Sequence, residues 1–350
     1  MERPPWRGLG HSAVLLRPRD YGATDTGRGL GEMTTLKKNY REQIRALAPG
    51  LVLVGLVLGI GALRPGFLNW DSLIVTVANT AILFILAAGS TFVVMLGSID
   101  LSIQAICSFA SVIVAVMLPG YGYAAIPVAV AMGLVTGTIS GLFHVWLKIP
   151  SFIVTLATSG LLVSAALLLS HERAISIDQA GRADLTWVNG EFLRLPNVIW
   201  VAALIAVFGI WSQKYTAFGR YSIAIGAGEP ATWASGVRVN RYKVIAFAVS
   251  GALAALAGVL MAGREGSGSP TLANQLLLPA IAAVIVGGTA ITGGAGGIGR
   301  TAVGALIITI VRVGMTFIGV NIFAQQIVFG LALVLAVALT IDRTKIVIVK

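Results

Sequence analysis

Long stretches of this chain carry no charge. Lys, Arg, Asp and Glu are absent from Ala46–Leu63, Ser72–Ile99, Leu101–Leu147, Ile149–Ser170, Leu195–Gln213, Val244–Gly263, Gly266–Gly299 and Val313–Ile341. A helix needs about 20 mostly apolar residues to cross the hydrocarbon of a bilayer, so several of these runs hold two passes each. Charged residues make up 11% of the 350 residues, against roughly 25% in soluble domains. A surface facing water cannot be built from so few, and the mean hydropathy of +0.89 agrees. Most of the chain must face lipid or other buried helices.

Gly and Pro punctuate the apolar runs at Pro65-Gly66, Pro119-Gly120, Ile149-Pro150, Leu195-Pro196 and Gly293–Gly299. The spacing predicts spans over residues 46–63, 74–97, 101–118, 123–147, 151–170, 197–213, 243–262, 276–293, 301–320 and 324–341. Basic residues give the orientation. Lys37, Lys38, Arg41 and Arg45 precede the first span. Lys214, Arg220, Arg238, Arg241 and Lys243 stand against the one acid Glu229 in residues 213–243, and Arg300, Arg343, Lys345 and Lys350 follow. With about ten passes all of these fall on one side, which the positive-inside rule makes cytoplasmic. Residues 171–196, which mix Glu172, Asp178, Asp184 and Glu191 with Arg173, Arg182 and Arg194, fall outside.

The expected fold is therefore an all-α integral membrane protein of about ten transmembrane helices, with both termini cytoplasmic. An even split gives two inverted halves of about five helices each, a common transporter plan. The domain plan is a cytoplasmic tail over residues 1–45, of which 1–32 is expected to be disordered, then a transmembrane domain over 46–341 containing the cytoplasmic loop 213–243, then a tail over 342–350. Small residues recur along single spans, as at Gly133, Gly137 and Gly141 and at Gly251, Ala255 and Gly258. They predict close backbone approach between helices in lipid.

The net charge of +11 would suggest nucleic acid in a soluble protein. Here the basic residues flank apolar spans and imply a membrane, with no nucleic-acid partner. One cysteine, Cys107, excludes an internal disulfide, and no Cys/His cluster suggests a metal. His144 and His171 read as interfacial. Gly294-x-Gly296-x-x-Gly299 satisfies a dinucleotide pattern, but it joins two spans and lacks the strand and following acid that the fold needs, so it reads as a tight turn. No G-x-x-x-x-G-K-[ST] loop occurs. The chain therefore cannot bind ATP by that route, and energy must come from elsewhere.

The loop 213–243 is the most informative stretch. Pro230 suits a first helical position and Gly236 the position past a helix end, so a short helix over Ala231–Ser235 is predicted. So short a helix is unstable alone. Either it docks on a partner with Trp233 as apolar anchor, or it is a solvated connector.

Arg312 lies near the middle of the predicted span 301–320, where an Arg costs about 2.5–3.5 kcal/mol on insertion scales. Such a residue faces a cavity and donates to substrate hydroxyls or a carboxylate, or else it snorkels or pairs with helix-end carbonyls at a subunit contact. Asp100 suits an N-cap of the third span, with a gating role as the alternative. Asn79, Thr80, Ser90, Thr155, Thr158, Gln325 and Gln326 are candidate solute contacts, and each also serves as helix-to-helix glue.

Four stretches in order resemble one family. They are Gly97-Ser98-Ile99-Asp100-Leu101-Ser102; Ile149-Pro150-Ser151-Phe152-Ile153-Val154-Thr155-Leu156; Thr216-Ala217-Phe218-Gly219-Arg220 with Ala224-Ile225-Gly226, Ser235-Gly236-Val237 and Asn240-Arg241-Tyr242-Lys243; and Ser267-Gly268-Ser269-Pro270 with Ala280–Thr289. Over about residues 40–343 the chain is similar to permease subunits of the ribose/arabinose/xylose class of bacterial ABC sugar importers, within the branched-chain amino acid/ribose-type permease superfamily. The resemblance implies a multi-pass permease of the bacterial inner membrane that works with a second copy or a paralogue. It implies import of a sugar or sugar-like solute delivered by a periplasmic solute-binding protein. Cytoplasmic ATP-binding subunits would hydrolyse the ATP, so this chain would hold no cofactor and would not be an enzyme. Gly219, Arg220, Glu229, Pro230, Ala231, Trp233 and Gly236 would form the segment that couples to those subunits. Arg312, Asn79, Thr155, Thr158 and Gln325 are the pathway candidates, and Asp100, Pro150 and Pro270 belong to the structural or gating signatures.

The chain departs from the family pattern at Gln104, where Gly is usual, at Leu277-Leu278-Pro279, where an acidic pair is frequent, and at Val311-Arg312-Val313, where Asn residues are frequent. Nucleoside and branched-chain amino acid permeases are sister readings. A secondary transporter would need coupling carboxylates at the midplane, and no Asp or Glu lies deep in any predicted span.

Overall fold

The computed structural model describes residues 50–340, with the backbone alone for residues 322, 332 and 335–340. The expectations for residues 1–49 and 341–350, including the two tails and their basic residues, lie outside the described residues. Helix α1 (Gly50–Leu63) leads through a 3-10 turn at Pro65–Leu68 into α2 (Trp70–Met95). Then come α3 (Ile103–Tyr121), α4 (Ala125–Trp146) and α5 (Ser151–Ser170). A connection follows with two short helices, α6 (Gln179–Asp184) and α7 (Thr186–Asn189). It also carries the strands β1 (Ile175–Ser176), β2 (Glu191–Phe192) and β3 (Leu195–Pro196). The second part contains α8 (Asn197–Tyr215), α9 (Ala217–Ala227), α10 (Glu229–Ala234) and α11 (Val239–Glu265). It ends with β4 (Ser267–Gly268), α12 (Leu277–Val286), α13 (Ile298–Phe317) and α14 (Ile322–Thr340).

Six stretches of the described chain are long and apolar enough to cross a membrane: α2, Ile103–Trp146, α5, α8, α11 and α13. Ile103–Trp146 divides at the turn Gly122–Ala124 into α3 and α4. The all-α membrane class holds for the body of the protein. The connection after α5 departs from it: β1 pairs antiparallel with β4 (Ile175 opposite Gly268), and β2 with β3 (Glu191 opposite Pro196). Two element ends also depart from expectation. Helix α3 continues through Pro119 to Tyr121. Helix α12 stops at Val286, well short of the predicted 293, because Gly288, Gly293 and Gly294 take positive φ and turn the chain.

A helix that is apolar all round is buried all round, and α2 illustrates this: residues 80–96 are all buried. Helix α11 is the other central element, packed against α2, α3 and α4. Helices α5 and α8 lie at the periphery, with exposed Leu156, Leu161, Leu204 and Val207 that suit a lipid surface. The small residues mark the tightest contact. A Cβ on Gly137 would meet the Phe247 carbonyl oxygen, one on Gly133 the Gly251 carbonyl oxygen, and one on Gly251 the Gly133 carbonyl oxygen. Helices α4 and α11 thus touch backbone to backbone, as the spacing of these glycines predicts. Gly258 brings α11 equally close to α3, against the Cys107 carbonyl.

Candidate functional site

Two features lie at opposite ends of α11, which is about 40 Å long at 1.5 Å per residue. At its C-terminal end a cavity of about 1130 Å³ opens between α2, α11, the turn before α12, α13 and α14. Around its N-terminal end the short helices α9 and α10 form an exposed platform.

The cavity brings together three of the predicted pathway residues, Asn79, Arg312 and Gln325, with Gln326, Thr309 and Thr316 beside them. Arg312 stands about halfway between the middle and the end of α13, not at the middle of the span, because α13 ends at Phe317; the five residues to that end are roughly 8 Å. Among the described residues its guanidinium has no hydrogen-bond or ion-pair partner. Gln325 is 2% exposed. Its Nε2 donates to Thr316 Oγ1 (3.1 Å) and to the Val320 carbonyl (3.3 Å), which ties α14 to α13. Its Oε1 and the Thr309 hydroxyl are buried without a partner among the described residues. Gln326 Nε2 donates to the Gln275 carbonyl at 3.2 Å.

Sequence reasoning missed Arg264, which also lines the cavity. Its Nη1 donates to Asn79 Oδ1 at 3.1 Å. The predicted span ended at residue 262, whereas α11 continues to Glu265, so Arg264 read as a loop residue. A further helix turn with an Arg in it was the available signal.

Thr155 and Thr158 lie elsewhere. Thr158 Oγ1 donates to the Val154 carbonyl and shares a 3.0 Å hydrogen bond with Ser140, joining α5 to α4. Thr155 belongs to a junction that unites two of the signature stretches. Leu101 N–H donates to Thr155 Oγ1 and Ile99 N–H to Ser151 Oγ, each at 3.0 Å. Pro150 is the N-cap of α5 and sets Ser151 at the helix start. Asp100 is not the N-cap of α3, which is Ser102. Its buried carboxylate accepts from Ser102 N–H (2.9 Å), Ser102 Oγ (2.6 Å) and Ser250 Oγ on α11 (2.8 Å). That geometry welds the α2–α3 turn to α11. The Ser267–Pro270 stretch is held in the same way: Ser269 N–H donates to Ser111 Oγ and Ala273 N–H to Ser108 Oγ, both on α3.

The platform contains two helices where one was predicted. Thr216 caps α9, its Oγ1 accepting from Gly219 N–H at 3.4 Å. Helix α10 begins at Glu229, before the predicted Ala231, with Pro230 in its first turn. A six-residue helix is not stable alone, and this one is braced. Thr232 Oγ1 donates to the Ala224 and Gly228 carbonyls at 2.9 Å. Glu229 accepts from Lys243 Nζ of α11 through both oxygens at 2.8 Å. Gly236, at φ +82°, closes the turn. Arg220, Pro230, Ala231 and Gly236 are exposed, and the Trp233 side chain is 72% exposed. Gly219 is buried because its Cα faces the Gln213 backbone.

The platform is wedged into the bundle. A Cβ on Gly226 would meet the Met95 carbonyl oxygen at the end of α2 and the Gly294 nitrogen. Gly294 N–H donates to that Met95 carbonyl at 2.9 Å. Gln213 of α8 donates from Nε2 to the Gly296 carbonyl (2.9 Å) and accepts from Ile298 N–H (3.0 Å), capping α13. The G-x-G-x-x-G stretch is therefore a tight turn packed on α9. Helices α2 and α13 each run from this contact to the cavity: Asn79 stands about 24 Å from Met95 along α2.

The chain is similar to known transport permeases over most of its length. A family model described as the permease component of branched-chain amino acid transport systems matches residues 72–337. The ribose import permease protein of Haemophilus influenzae is 34% identical over 293 residues, 82% of this chain and 90% of its own length. The ribose import permease protein of Bacillus subtilis is 35% identical over 86% of this chain and 94% of its own. The fructose import permease protein of Rhizobium meliloti is 30% identical over 84% of each. The chain is a multi-pass inner-membrane protein. It belongs to the family of that model, described as the permease component of branched-chain amino acid transport systems.

Proposed function

We propose that this chain is the transmembrane subunit of an ATP-driven importer and moves a sugar or sugar-like solute. It spans the membrane about ten times, in two inverted halves of about five helices, with both termini cytoplasmic. Residues 46–341 form the permease domain, and the cavity opens to the outside to receive solute from a periplasmic binding protein. Residues 213–243 face the cytoplasm and dock on ATP-binding subunits, which hydrolyse the ATP. A second permease copy or a paralogue completes the pathway. The chain itself performs no covalent chemistry.

The observation that carries this reading is the exposed platform with Trp233, braced on the bundle at the end away from the polar cavity. A buried aromatic anchor is the usual centre of a protein contact, and an isolated Trp on so short a helix is poised to become one. Force on α10 passes through α9 to Met95 and Gly294, and so to α2 and α13. Gly219, Arg220, Glu229, Pro230, Ala231, Trp233 and Gly236 are the proposed coupling residues, while Arg312, Asn79 and Gln325 contact the solute.

Co-purification of the tagged permease with its co-encoded ATP-binding subunit tests the coupling role. Trp233→Ala is expected to lower the yield of complex at least tenfold while leaving the melting midpoint of the free permease unchanged, since the side chain is exposed. Wild-type recovery of the complex with Trp233→Ala and with Trp233→Glu would remove the platform from the interface.

A further inference from the structure

We propose that the transported solute is anionic: a polyhydroxylated compound carrying a carboxylate or phosphate, bound by Arg312 and Arg264. This rests on the import reading above and specifies its substrate class. Two guanidinium groups line one cavity, and among the described residues the only carboxylate in the lining is Glu265, which is exposed. Neither arginine makes an ion pair among the described residues, where Glu229–Lys243 is the one such pair. Arg264 is held at one edge by Asn79 Oδ1, and among the described residues its remaining donors have no partner. Among the described residues Arg312 has no partner for any of its donors. A cation placed at membrane depth without a partner is costly and rare unless it faces a charge or an aqueous path. Arginine's planar fork pairs bidentately with carboxylate and phosphate, and such bonds are about twice as strong as neutral ones.

The rest of the lining suits hydroxyls. Gln325 Oε1 and Thr309 Oγ1 are buried at 2% and 4% exposure and lack partners among the described residues. The amide oxygen accepts a hydrogen bond, as a ligand hydroxyl would give, and the Thr309 hydroxyl can give or take one. The cavity thus pairs a cationic patch with buried groups that a neutral hydrocarbon ligand would leave unsatisfied. A volume of about 1130 Å³ accommodates a hexose derivative with water around it.

The test is ATP-dependent uptake by the complete importer, reconstituted with its ATP-binding and solute-binding partners. Matched radiolabelled probes are galactose, galacturonate and galactose 6-phosphate, with ribose, ribonate and ribose 5-phosphate. Uptake of a sugar acid or sugar phosphate at least tenfold above its neutral parent is expected, and the acid and phosphate arms say which anion is taken. Arg312→Gln should cut that uptake about ten- to hundredfold, the loss of a charge-assisted hydrogen bond. Arg312→Lys should restore part of it, and the melting midpoint should stay within a few degrees. Preferred uptake of the neutral sugar, with Arg312→Gln as active as wild type, would overturn the anion assignment and leave the importer reading intact. Equal loss of neutral and anionic uptake in Arg312→Gln would also overturn it and make Arg312 a subunit contact. Absence of ATP-dependent uptake for every probe would count against the importer reading itself.

Discussion

Gly137→Ala should destabilise the protein while Gly160→Ala should not. The two positions compare one added methyl group in two surroundings. Gly160 lies on the exposed face of α5, where an added Cβ would have nothing within 4 Å. There the substitution gains up to about 1 kcal/mol of helix propensity on aqueous scales. At Gly137 the new Cβ would fall on the Phe247 carbonyl oxygen, 2.9 Å from that carbonyl carbon and 3.2 Å from Ala248 Cα. These are backbone atoms of α11, so no side-chain rotation relieves the clash and the two helices must separate. Overpacking of this kind costs about 1–3 kcal/mol. The difference between the variants should then be about 1–4 kcal/mol. At about 2–4 °C per kcal/mol for domains approaching this size, that is several degrees or more. The assay is the melting midpoint of detergent-solubilised protein by size-exclusion fluorescence at one heating rate. A Gly137→Ala midpoint equal to or above that of Gly160→Ala would mean that α4 and α11 are not in backbone contact.

Other outcomes follow from the same geometry. Ser151→Ala and Thr155→Ala each strand a backbone N–H of the α2–α3 turn, at Ile99 and Leu101; each should lower the midpoint in the same assay by the equivalent of about 1–3 kcal/mol. Thr155→Ser keeps the acceptor and should recover most of the loss. Gln213→Ala removes both bonds that cap α13, so uptake and midpoint should fall together, whereas Gln213→Glu keeps the acceptor for Ile298 N–H and should lose less. The Glu229–Lys243 pair is half-exposed on its acidic side; a double-mutant cycle on the free permease should give a coupling of no more than about 1 kcal/mol that shrinks in high salt.

Much of the architecture can be read from the sequence because lipid leaves a chain few options. Charge-free runs and their Gly and Pro boundaries locate α2, α4, α5, α8 and α13 to within a few residues. Helix-spaced Gly133, Gly137 and Gly141 mark the contact face of α4, but which helix they meet, α11, comes from the packing alone. What escapes is wherever local signals and tertiary contacts disagree. Helix α9 contains Gly219 and Gly226, which count against a helix by propensity; both are required by close contacts with Gln213, Met95 and Gly294. Helix α12 is truncated inside an apolar run that looks long enough for a span, because glycines at positive φ redirect the chain. The β1–β4 ladder joins segments far apart in sequence through backbone bonds, which side-chain pattern does not encode. Arg312 announces itself as a lone charge in an apolar run. Arg264 does not, because it sits beside Glu265 at a helix end, where charged residues are ordinary. Thr155 and Gln325 look alike in sequence, yet one braces a turn and the other faces the cavity. Only the packing separates them.

The central claim is that a motor outside this chain works it through the α9–α10 platform. Uptake into proteoliposomes holding the complete importer, compared with hydrolysable and non-hydrolysable nucleotide, tests it most directly. The account predicts accumulation that needs hydrolysable ATP and collapses when Trp233 is changed to Glu. Uptake that proceeds at the same rate without nucleotide, or that survives removal of the ATP-binding subunits, would contradict it.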